Sequence, residues 1–277
     1  MKKFITFMVV LTAVMGCNAA PKNEVYVQLY SVRDVIKTDL KGTITQLATM
    51  GYNGVEAAGY ADGYFYGISP VEFKNLVTKS GMKVISSHTS RPLADQPSQT
   101  NWTETWEWWD TAIAAHKAAD MKTIVIPWMP TPATLVELKA YCDYYNQIGE
   151  RCNAAGIKLG YHNHAFEFKT IEGELMYDYM LRHTDPSKVF FQMDVYWVVE
   201  GGKNPVDYFK TYPGRFRQLH LKDEKELGKS GKVDFKSILS AQKQAGVKEL
   251  IVEVEKYSLQ PLESVKVSLE YLLPLLK

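Results

Sequence analysis

Residues 44–58 read ITQLATMGYNGVEAA, and this stretch shows the unit from which the chain is built. Its first half carries apolar residues at Ile44, Leu47 and Ala48, the spacing of one face of an α-helix. Gly51 follows, and a glycine there favours a helix end because it adopts a left-handed backbone without steric cost. Residues 54–58 then predict a short buried strand. The same succession of helix, glycine and strand recurs at Gly81, Gly156 and Gly246.

Eight strand candidates alternate with longer amphipathic stretches up to the C-terminus. They are residues 25–29, 54–58, 84–88, 123–127, 158–163, 189–194, 217–222 and 250–255. Eight βα units in succession predict a (β/α)8 TIM barrel that forms a single domain over residues 25–277. The alternative is an open, doubly wound sheet, which usually has a glycine-rich loop after its first strand. Residues 29–33 (LYSVR) contain no glycine, so we favour the barrel.

The composition is that of an ordinary globular protein. The chain has 277 residues, of which 46% are hydrophobic and 23% charged, and its formal net charge is +1. These values exclude a disordered chain, a collagen-like chain and a polytopic membrane protein. A nucleic-acid surface normally requires a clustered basic excess, so we expect no nucleic acid as a partner. A small carbohydrate is compatible with this charge, and we make no prediction of oligomeric state.

The N-terminus has the pattern of an export signal. Lys2 and Lys3 precede an apolar run over residues 4–15, which is too short to span a membrane as a helix. Residues 14–17 (VMGC) resemble the lipobox of bacterial lipoproteins, in which the cysteine becomes the lipidated first residue. We therefore predict a signal peptide over residues 1–16, lipidation at Cys17 and a short tether over 17–24. The rival interpretation is cleavage near Ala19-Ala20, which would leave a soluble periplasmic protein.

Polar side chains stand at the ends of most predicted strands, where the active site of a barrel lies. They are Glu56, His88, His162 and His164, Asp194, His220 and Lys222, and Glu253 and Glu255. Alternation along each strand turns them away from the apolar residues that face the outer helices. An Asp, a His and a Glu on three consecutive strands are ligands that suit Mn²⁺, Mg²⁺, Co²⁺ or Zn²⁺. We therefore predict one divalent metal ion, held by Asp194, His220 and Glu253.

The order of these motifs resembles the xylose isomerase-like TIM barrels, which are often labelled sugar phosphate isomerase/epimerase. The resemblance covers nearly the whole mature chain and rests on residues 28–33 (QLYSVR), 54–56 (GVE), 161–164 (YHNH), 166–168 (FEF), 193–194 (MD), 219–223 (LHLKD), 231–235 (GKVDF) and 252–253 (VE). It implies metal ligands at Asp194, His220 and Glu253. The family's fourth ligand, a glutamate on strand five, falls at about Gly160. We expect His162 or His164 to replace it.

The resemblance implies that the reaction is enolisation of a keto-sugar, in which the metal stabilises an enediolate while a carboxylate carries the proton. We expect Glu255 or Glu167 to act as the base and Lys222 to stabilise the oxyanion. The predicted substrate-binding residues are Tyr30, Glu56, His88 and Trp197, the last at a position where sugar epimerases of the family often have a histidine.

Three functions remain open at this stage. The first is a metal-dependent isomerase or epimerase of a small carbohydrate. The second is a lyase or hydrolase of 3-keto-glycosides, which would use the same enolisation to expel a leaving group. The third is a non-catalytic carbohydrate-binding lipoprotein, because fold does not determine function. Export argues against phosphorylated substrates, and we expect a periplasmic or outer-membrane-anchored protein that contacts the membrane only through its lipid anchor.

Overall fold

A computed structural model describes residues 24–277, which form one barrel of eight parallel strands surrounded by helices. The strands are β1 (Val25–Gln28), β2 (Gly54–Ala57), β3 (Lys83–Ser87), β4 (Thr123–Ile126), β5 (Lys158–His162), β6 (Val189–Asp194), β7 (Phe216–Leu221) and β8 (Glu249–Val252). The predicted TIM barrel is thereby confirmed. The predicted signal peptide and Cys17 lie outside the described residues, and so does the predicted tether except for Glu24.

Eight main helices follow the strands. They are α1 (Leu40–Met50), α2 (Pro70–Lys79), α3 (Trp102–Ala118), α4 (Leu135–Ala154), α5 (Met176–His183), α6 (Pro205–Thr211), α7 (Phe235–Ala245) and α8 (Pro261–Leu272). Shorter helical segments cover Leu29–Val32, Arg33–Ile36, Pro97–Gln99, Phe166–Phe168, Val195–Glu200 and Leu273–Leu276. Two small hairpins, Tyr60–Ala61 with Tyr64–Phe65 and Thr170–Ile171 with Glu174–Leu175, lie in the loops after β2 and β5. No helix within residues 24–277 is long and apolar enough to cross a membrane.

The ends of the helices are fixed by capping residues. Gly51 ends α1 with φ of 105°, and Gly246 ends α7 with φ of 87°, a conformation that only glycine adopts without strain. At the start of α2, Ser69 and Glu72 form a reciprocal capping box. These caps fix the residues at which the helices begin or end, and hence the lengths of their βα units.

The barrel closes between β3 and β4. Seven neighbouring pairs form ladders in the order β3, β2, β1, β8, β7, β6, β5 and β4, with one register shift in the β2–β3 pair and one in the β6–β7 pair. The eighth junction, between β3 and β4, forms an isolated bridge and not a ladder. His88 pairs with Val125, and the backbone N–H of Thr89 donates to the Val125 carbonyl over 2.9 Å. Parallel strands bring all their C-terminal ends to one edge, so the polar strand-end residues surround one mouth.

The lumen below the mouth is polar, whereas the layer between strands and helices is apolar. Gln28, Glu56, Gln192, Gln218 and His220 are all at most 1% exposed, and they hydrogen-bond to one another across the lumen. The leucines and valines that alternate with them pack outward in the hydrophobic core. The predicted division between lumen-facing and helix-facing positions is therefore correct. Cys142 and Cys152 are both buried, and neither forms a disulfide.

Most strands end earlier than the sequence predicted. β8 ends at Val252, so Glu253 and Glu255 lie in the segment that follows the strand. β7 ends at Leu221, and Lys222 is the next residue. Only β6 runs to its predicted end, Asp194. The chain leaves the sheet at these points and forms the wall of the mouth, which places the polar groups slightly above the last ladder hydrogen bonds.

Candidate metal centre and barrel mouth

Four buried side chains converge at the floor of the mouth: His162, Asp194, His220 and Glu253. One ligand atom from each lies within 4.8 Å of the other three. The β6–β7 ladder pairs Asp194 directly with His220. His162 ends the neighbouring β5, and Glu253 directly follows β8 on the other side. The structure thus brings together the three residues expected to hold a metal and one of the two histidines proposed as the fourth ligand.

Asp194 has one satisfied and one unsatisfied oxygen. Its Oδ1 caps the short helix Val195–Glu200 and accepts the backbone N–H groups of Tyr196 and Trp197 at 3.0 and 3.1 Å. Its Oδ2 has no hydrogen-bond donor among residues 24–277, although the side chain is fully buried. A buried carboxylate oxygen without a partner is unfavourable, and a cation between the four side chains would satisfy it. This orphaned oxygen shows that the residues fit a bound cation.

Gln192 fixes the tautomer of His162. The Gln192 amide nitrogen donates to Glu56 Oε2 at 2.8 Å, so its Oε1 must be the acceptor that faces His162 Nδ1 at 3.0 Å. The proton of the imidazole therefore sits on Nδ1, and the Nε2 lone pair points toward Asp194 Oδ2, 3.9 Å away. Burial lowers the pKa of His162 well below its ordinary value, which keeps the ring neutral and able to bind a metal.

Glu56 fixes the orientation of His220 from below. It accepts hydrogen bonds from Gln28 Nε2 at 2.8 Å and Ser86 Oγ at 2.6 Å, besides those from Gln192 and His220. Burial alone would raise the pKa of Glu56, but the imidazoles of His88 and His220 and these hydrogen bonds lower it to about 2. An ionised carboxylate behind a metal-binding imidazole is a common arrangement around metal sites.

A second group of three histidines overlaps the first: His88, His162 and His220. In this group, Nε2 of His220 already faces Glu56 at 2.6 Å. His88 Nε2 is likewise engaged, at 2.8 Å from Gln192 Oε1. The group of four contains the Asp194 oxygen that has no hydrogen-bond partner within residues 24–277, and its two carboxylates offset the charge of a divalent ion. We therefore assign the candidate metal centre to the group of four.

Lys222 connects this centre with the rim. The side chain is only 2% exposed, and its Nζ lies 2.7 Å from Glu255 Oε2 and 3.4 Å from Glu253 Oε2. Its ammonium also lies 5.2 Å from the centre of the Trp197 ring. Burial lowers the pKa of Lys222, but Glu253, Asp194 and Glu255 outweigh it and raise the pKa above its ordinary value. Lys222 is therefore a permanent cation beside the candidate centre.

A cavity of about 390 Å³ opens above the four side chains. Its lining comprises Tyr30, Ala58, His88, Pro127, Trp128, His162, His164, Glu253 and Glu255. Tyr30 and Trp128 are 44% and 49% exposed, so each presents an aromatic ring to a ligand that enters. The cavity combines apolar rings with a few polar groups, as sites for small molecules usually do.

The structure does not bring every expected site residue to this cavity. Glu167 lies on the outer side of β5, where it accepts hydrogen bonds from Tyr161 Oη and the backbone N–H of His164, each at 2.8 Å. The short 3-10 helix Phe166–Phe168, which contains Glu167, leaves it on this outer side, as the alternation from His164 indicates. Burial raises the pKa of Glu167 to about 8, against the opposing effect of its hydrogen bonds. Glu255, and not Glu167, is the carboxylate at the mouth.

Three other residues predicted to bind substrate or metal do not lie where those roles would place them. Glu56, expected to bind substrate, is fully buried beneath His220 and does not reach the cavity. Trp197 packs its ring beside Lys222 and His164, at the rim and not in the lining. His164 lies outside the group of four and lines the cavity, and its Nδ1 has no hydrogen-bond partner within residues 24–277. Tyr30 and His88 line the cavity as expected.

Close packing against β6 explains why residue 160 is a glycine. A Cβ atom there would lie about 2.5 Å from the ring of Phe190, its ladder partner on β6. Phe190 thus fills the lumen space that a longer side chain on β5 would need. His162 is one step nearer the mouth, paired with Gln192, and it supplies the β5 contribution to the group of four.

Two residues of the site were missed from the sequence. Gln192 shares its strand face with Asp194, but a glutamine in a strand gives no sign that it orients two histidines. Trp128 follows β4 in the run PWMP, residues 127–130, and a tryptophan between prolines just beyond a strand could have drawn attention. Its exposure at the mouth depends on the path of that loop, which the sequence pattern does not specify.

Comparison with known proteins agrees with this architecture. The model of the family described as xylose isomerase-like TIM barrel matches residues 44–275. The chain belongs to this family. Two solved structures from Parabacteroides distasonis ATCC 8503, each described as a sugar phosphate isomerase/epimerase, are similar over most of the chain. The first has 29% identity and a TM-score of 0.87, and the alignment covers 97% of this chain and 100% of the solved chain. The second has 34% identity and a TM-score of 0.84, with 92% and 100% covered.

The matches to curated relatives are shorter. An inosose dehydratase from Geobacillus kaustophilus is 24% identical over 213 residues, which are 70% of this chain and 66% of that protein. One from Clostridium beijerinckii is 31% identical over 87 residues, 31% of this chain and 28% of the relative. The matches thus span less than two thirds of these relatives' own length. Membership of a family that contains sugar isomerases and epimerases points to an enzyme, and the dehydratases add a lyase-type alternative.

Proposed function

We propose that this protein is a metal-dependent enzyme that enolises a small keto-sugar and releases an isomer or epimer. The observation that carries the proposal is the unpaired, fully buried Oδ2 of Asp194 among three further ligand atoms at the floor of the mouth. His162, Asp194, His220 and Glu253 would hold the ion. Two imidazoles and two carboxylates suit Mn²⁺, Co²⁺ or Zn²⁺, and Mg²⁺ less well. When bound, such an ion supplies a Lewis acid that acidifies the C–H bond next to a carbonyl.

The other residues of the mouth have roles that follow from their positions. Glu255 is the carboxylate of the lining that is free of the four-residue group, and it would take up and return the substrate proton. Lys222, cationic and buried against Glu255, would stabilise negative charge that develops on a substrate oxygen. His164 and His88 lie on the strands opposite Glu255 and would bind sugar hydroxyl groups. Tyr30 and Trp128 would stack on the sugar ring.

A second candidate is β-elimination from the same enolised substrate. The names of the curated relatives favour it, because a dehydratase expels water next to a carbonyl. In this chain a glycoside with a keto group at C3 would lose its aglycone in the equivalent step. The proton abstraction by Glu255 and the stabilisation by Lys222 are common to both candidates, and only the fate of the intermediate differs.

We further propose that the protein is exported and anchored through a lipid on Cys17. The basic start, the short apolar run and the VMGC sequence support this proposal. An exported enzyme meets few sugar phosphates, so we propose a non-phosphorylated carbohydrate as the substrate.

Incubation with keto-sugars and 3-keto-glycosides in heavy water tests these functions. One rearranged product that carries solvent deuterium supports the isomerase or epimerase. Two products, one of them the free aglycone, support elimination. If no substrate exchanges a proton although binding is measurable, the protein is a carbohydrate-binding lipoprotein and both enzymatic proposals are wrong.

A further inference from the structure

Basic residues surround the face of the barrel opposite the mouth. Each strand from β3 to β8 begins with, or directly after, a lysine or arginine, namely Lys83, Lys122, Lys158, Lys188, Arg215 and Lys248. We call these six residues the basic ring. Ladder contacts continue between its members: the backbone N–H of Lys158 donates to the Lys122 carbonyl over 2.9 Å. Because all eight strands are parallel, the six residues lie at one face. The Arg215 guanidinium, however, turns inward and donates to the carbonyls of Leu181 and Thr184, so the five lysines supply the charge at the surface.

Helix dipoles explain only part of this charge. The C-termini of the outer helices open onto the same face, and cations there complement the negative ends of the dipoles. The last helical turns already contain their own cations: Lys79 in α2, Lys117 in α3, Arg151 in α4 and Lys243 in α7. The basic ring is additional to these residues, so the face carries more positive charge than the helix ends require.

Pairing with carboxylates leaves a positive excess. Three members of the basic ring are neutralised, in the pairs Lys83 with Glu24, Lys122 with Asp120, and Lys188 with Glu150. Lys158 and Lys248 are exposed and have no carboxylate within salt-bridge distance in the described part of the chain, and the same holds for Lys243. A cavity of about 280 Å³ lies between Lys243, Lys248 and Glu24, large enough for a phosphate group.

The N-terminus reaches this same face. Glu24, which precedes β1, binds Lys83 Nζ at 2.6 Å, and the chain therefore enters the barrel from the basic side. Cys17 is seven residues earlier in the sequence, and seven residues span at most about 25 Å. A lipid on Cys17 would consequently keep the basic face, and not the mouth, next to the membrane.

We propose that the basic ring binds an anionic bilayer surface and holds the mouth pointing away from the membrane. The proposal rests on the lipid anchor proposed above for its geometry, but not on the reaction at the mouth. The charge and the point where the chain enters favour a lipid surface over a protein partner. Each exposed lysine near an anionic surface strengthens binding about fivefold at low salt. Such attraction disappears at about 1 M salt, where the screening length is only ~3 Å.

Lysine footprinting on vesicles tests this orientation. The processed protein, bound through its own anchor, is placed on phosphatidylcholine vesicles with or without phosphatidylglycerol, and amine labelling is followed by mass spectrometry. We expect labelling of Lys122, Lys158 and Lys248 to slow severalfold on anionic vesicles alone and to recover in high salt. Lys225 and Lys229, exposed in the loop at the mouth, should label at the same rate throughout. Equal rates at both faces, or protection of Lys225 and Lys229, would overturn the proposal.

A pair of charge-reversal variants provides the matched comparison. Lys158→Glu with Lys248→Glu should abolish the protection of Lys122, whereas Lys225→Glu with Lys229→Glu changes the net charge equally and should leave it intact. If both variants behave alike, only net charge matters and the proposal fails. The mass of the processed N-terminus reports lipidation separately. If Cys17 carries no lipid, flotation of the soluble protein with the same vesicles decides the question, and absence of salt-sensitive flotation overturns the proposal.

Discussion

His220 and Glu56 lie against each other at the floor of the mouth, with Nε2 of the imidazole 2.6 Å from Oε1 of the carboxylate. The other ring nitrogen, Nδ1, faces Glu253 Oε2 at 3.3 Å. Burial lowers the pKa of His220, but Glu253 and Glu56 outweigh it and raise the pKa to about 10, so without a cation both ring nitrogens carry a proton. Because Glu56 can only accept, it keeps the proton on Nε2, and Nδ1 is the nitrogen that would bind the candidate metal after losing its proton. Glu56 comes from β2, on the far side of the lumen, so the metal centre depends on a strand that provides no ligand.

This arrangement predicts that Glu56→Gln weakens metal binding without removing a ligand. The neutral amide either turns its NH2 group toward His220 Nε2 or accepts from Nε2 through its oxygen without a negative charge. In both cases the preference for a proton on Nε2 becomes weaker. We expect an affinity about 10–100-fold lower, as for other changes behind metal-binding histidines. Competition with a coloured chelator measures it. Ser86→Ala, which removes only one hydrogen bond to Glu56, is the control and should have a smaller effect. Unchanged affinity in Glu56→Gln would exclude this role.

Glu255→Gln should eliminate proton transfer and leave the metal in place. Lys222 keeps a hydrogen-bond partner at 2.7 Å in the amide oxygen, so the fold and the metal centre remain. We expect kcat to fall about 10²–10⁴-fold, the usual contribution of a general base. Solvent deuterium exchange into the substrate should fall in parallel.

Glu167→Gln is the matched control for that experiment. Its side chain is held on the outer side of β5 by Tyr161 and the His164 backbone, remote from the cavity. We expect exchange within a few-fold of the unmodified protein. If Glu167→Gln abolishes exchange and Glu255→Gln does not, the assignment of the base is reversed.

Trp128→Ala should weaken substrate binding more than catalysis. The ring is half exposed at the mouth, so its loss opens no core cavity and should leave the melting temperature unchanged. Stacking on a sugar ring contributes about 1 kcal/mol, which corresponds to a KM roughly fivefold higher with kcat nearly constant. Trp102→Ala removes another exposed tryptophan, 40% exposed and located on α3 outside the cavity lining, and should change neither value. Equal effects of the two variants would argue against stacking at the mouth.

Glu226 should make the loop after β7 sensitive to acid. Its carboxylate accepts the backbone N–H and Oγ of Ser258 at 2.8 and 2.5 Å and Oγ of Ser264 at 2.7 Å, and so joins this loop to the last βα unit. Burial raises its pKa, but these hydrogen bonds outweigh burial and lower the pKa from its ordinary 4.5 to about 2. A carboxylate with a depressed folded pKa stabilises the fold above pH 4.5 and loses that contribution as the pH falls toward 2.

Glu226→Gln should therefore cost about 1–3 kcal/mol of stability at pH 7. The difference between the variant and the unmodified protein should shrink as the pH falls from 4.5 toward 2, where Glu226 itself becomes protonated. Urea denaturation over this pH range measures both effects. A difference that stays constant with pH would mean that charge on Glu226 does not contribute.

The barrel was predictable from the sequence because its signals are local and repeated. Caps such as Gly51 and Gly246, together with strand runs of fixed spacing, define each βα unit without knowledge of its neighbours. The two small hairpins were missed since strands of two residues carry no periodicity. Strand ends were overestimated because Glu253 and Lys222 continue the alternation after the ladder has stopped.

The site was only partly predictable because several of its features depend on distant strands. Asp194, His220 and Glu253 stood out as polar residues at strand ends, and the structure brings them together. The role of Glu56 was not visible, since its hydrogen bond to His220 joins residues 164 positions apart. The choice of His162 over His164 depends on which imidazole lies beside Asp194, His220 and Glu253, and alternation does not distinguish them because both residues fall on the same face. Glu167 illustrates the opposite case, because alternation along β5 places it on the side opposite His164 and the 3-10 helix after β5 does not bring it into the lumen.

Metal content tests the central claim most directly. The purified protein, dialysed against metal-free buffer after loading with Mn²⁺, Co²⁺ or Zn²⁺, is analysed by inductively coupled plasma mass spectrometry beside Asp194→Ala and His220→Ala. We predict one ion per chain in the unmodified protein and nearly none in either variant, both still folded by circular dichroism. An unmodified protein that retains no ion, or variants that retain as much as it does, would contradict the metal centre and the enzymatic function built on it.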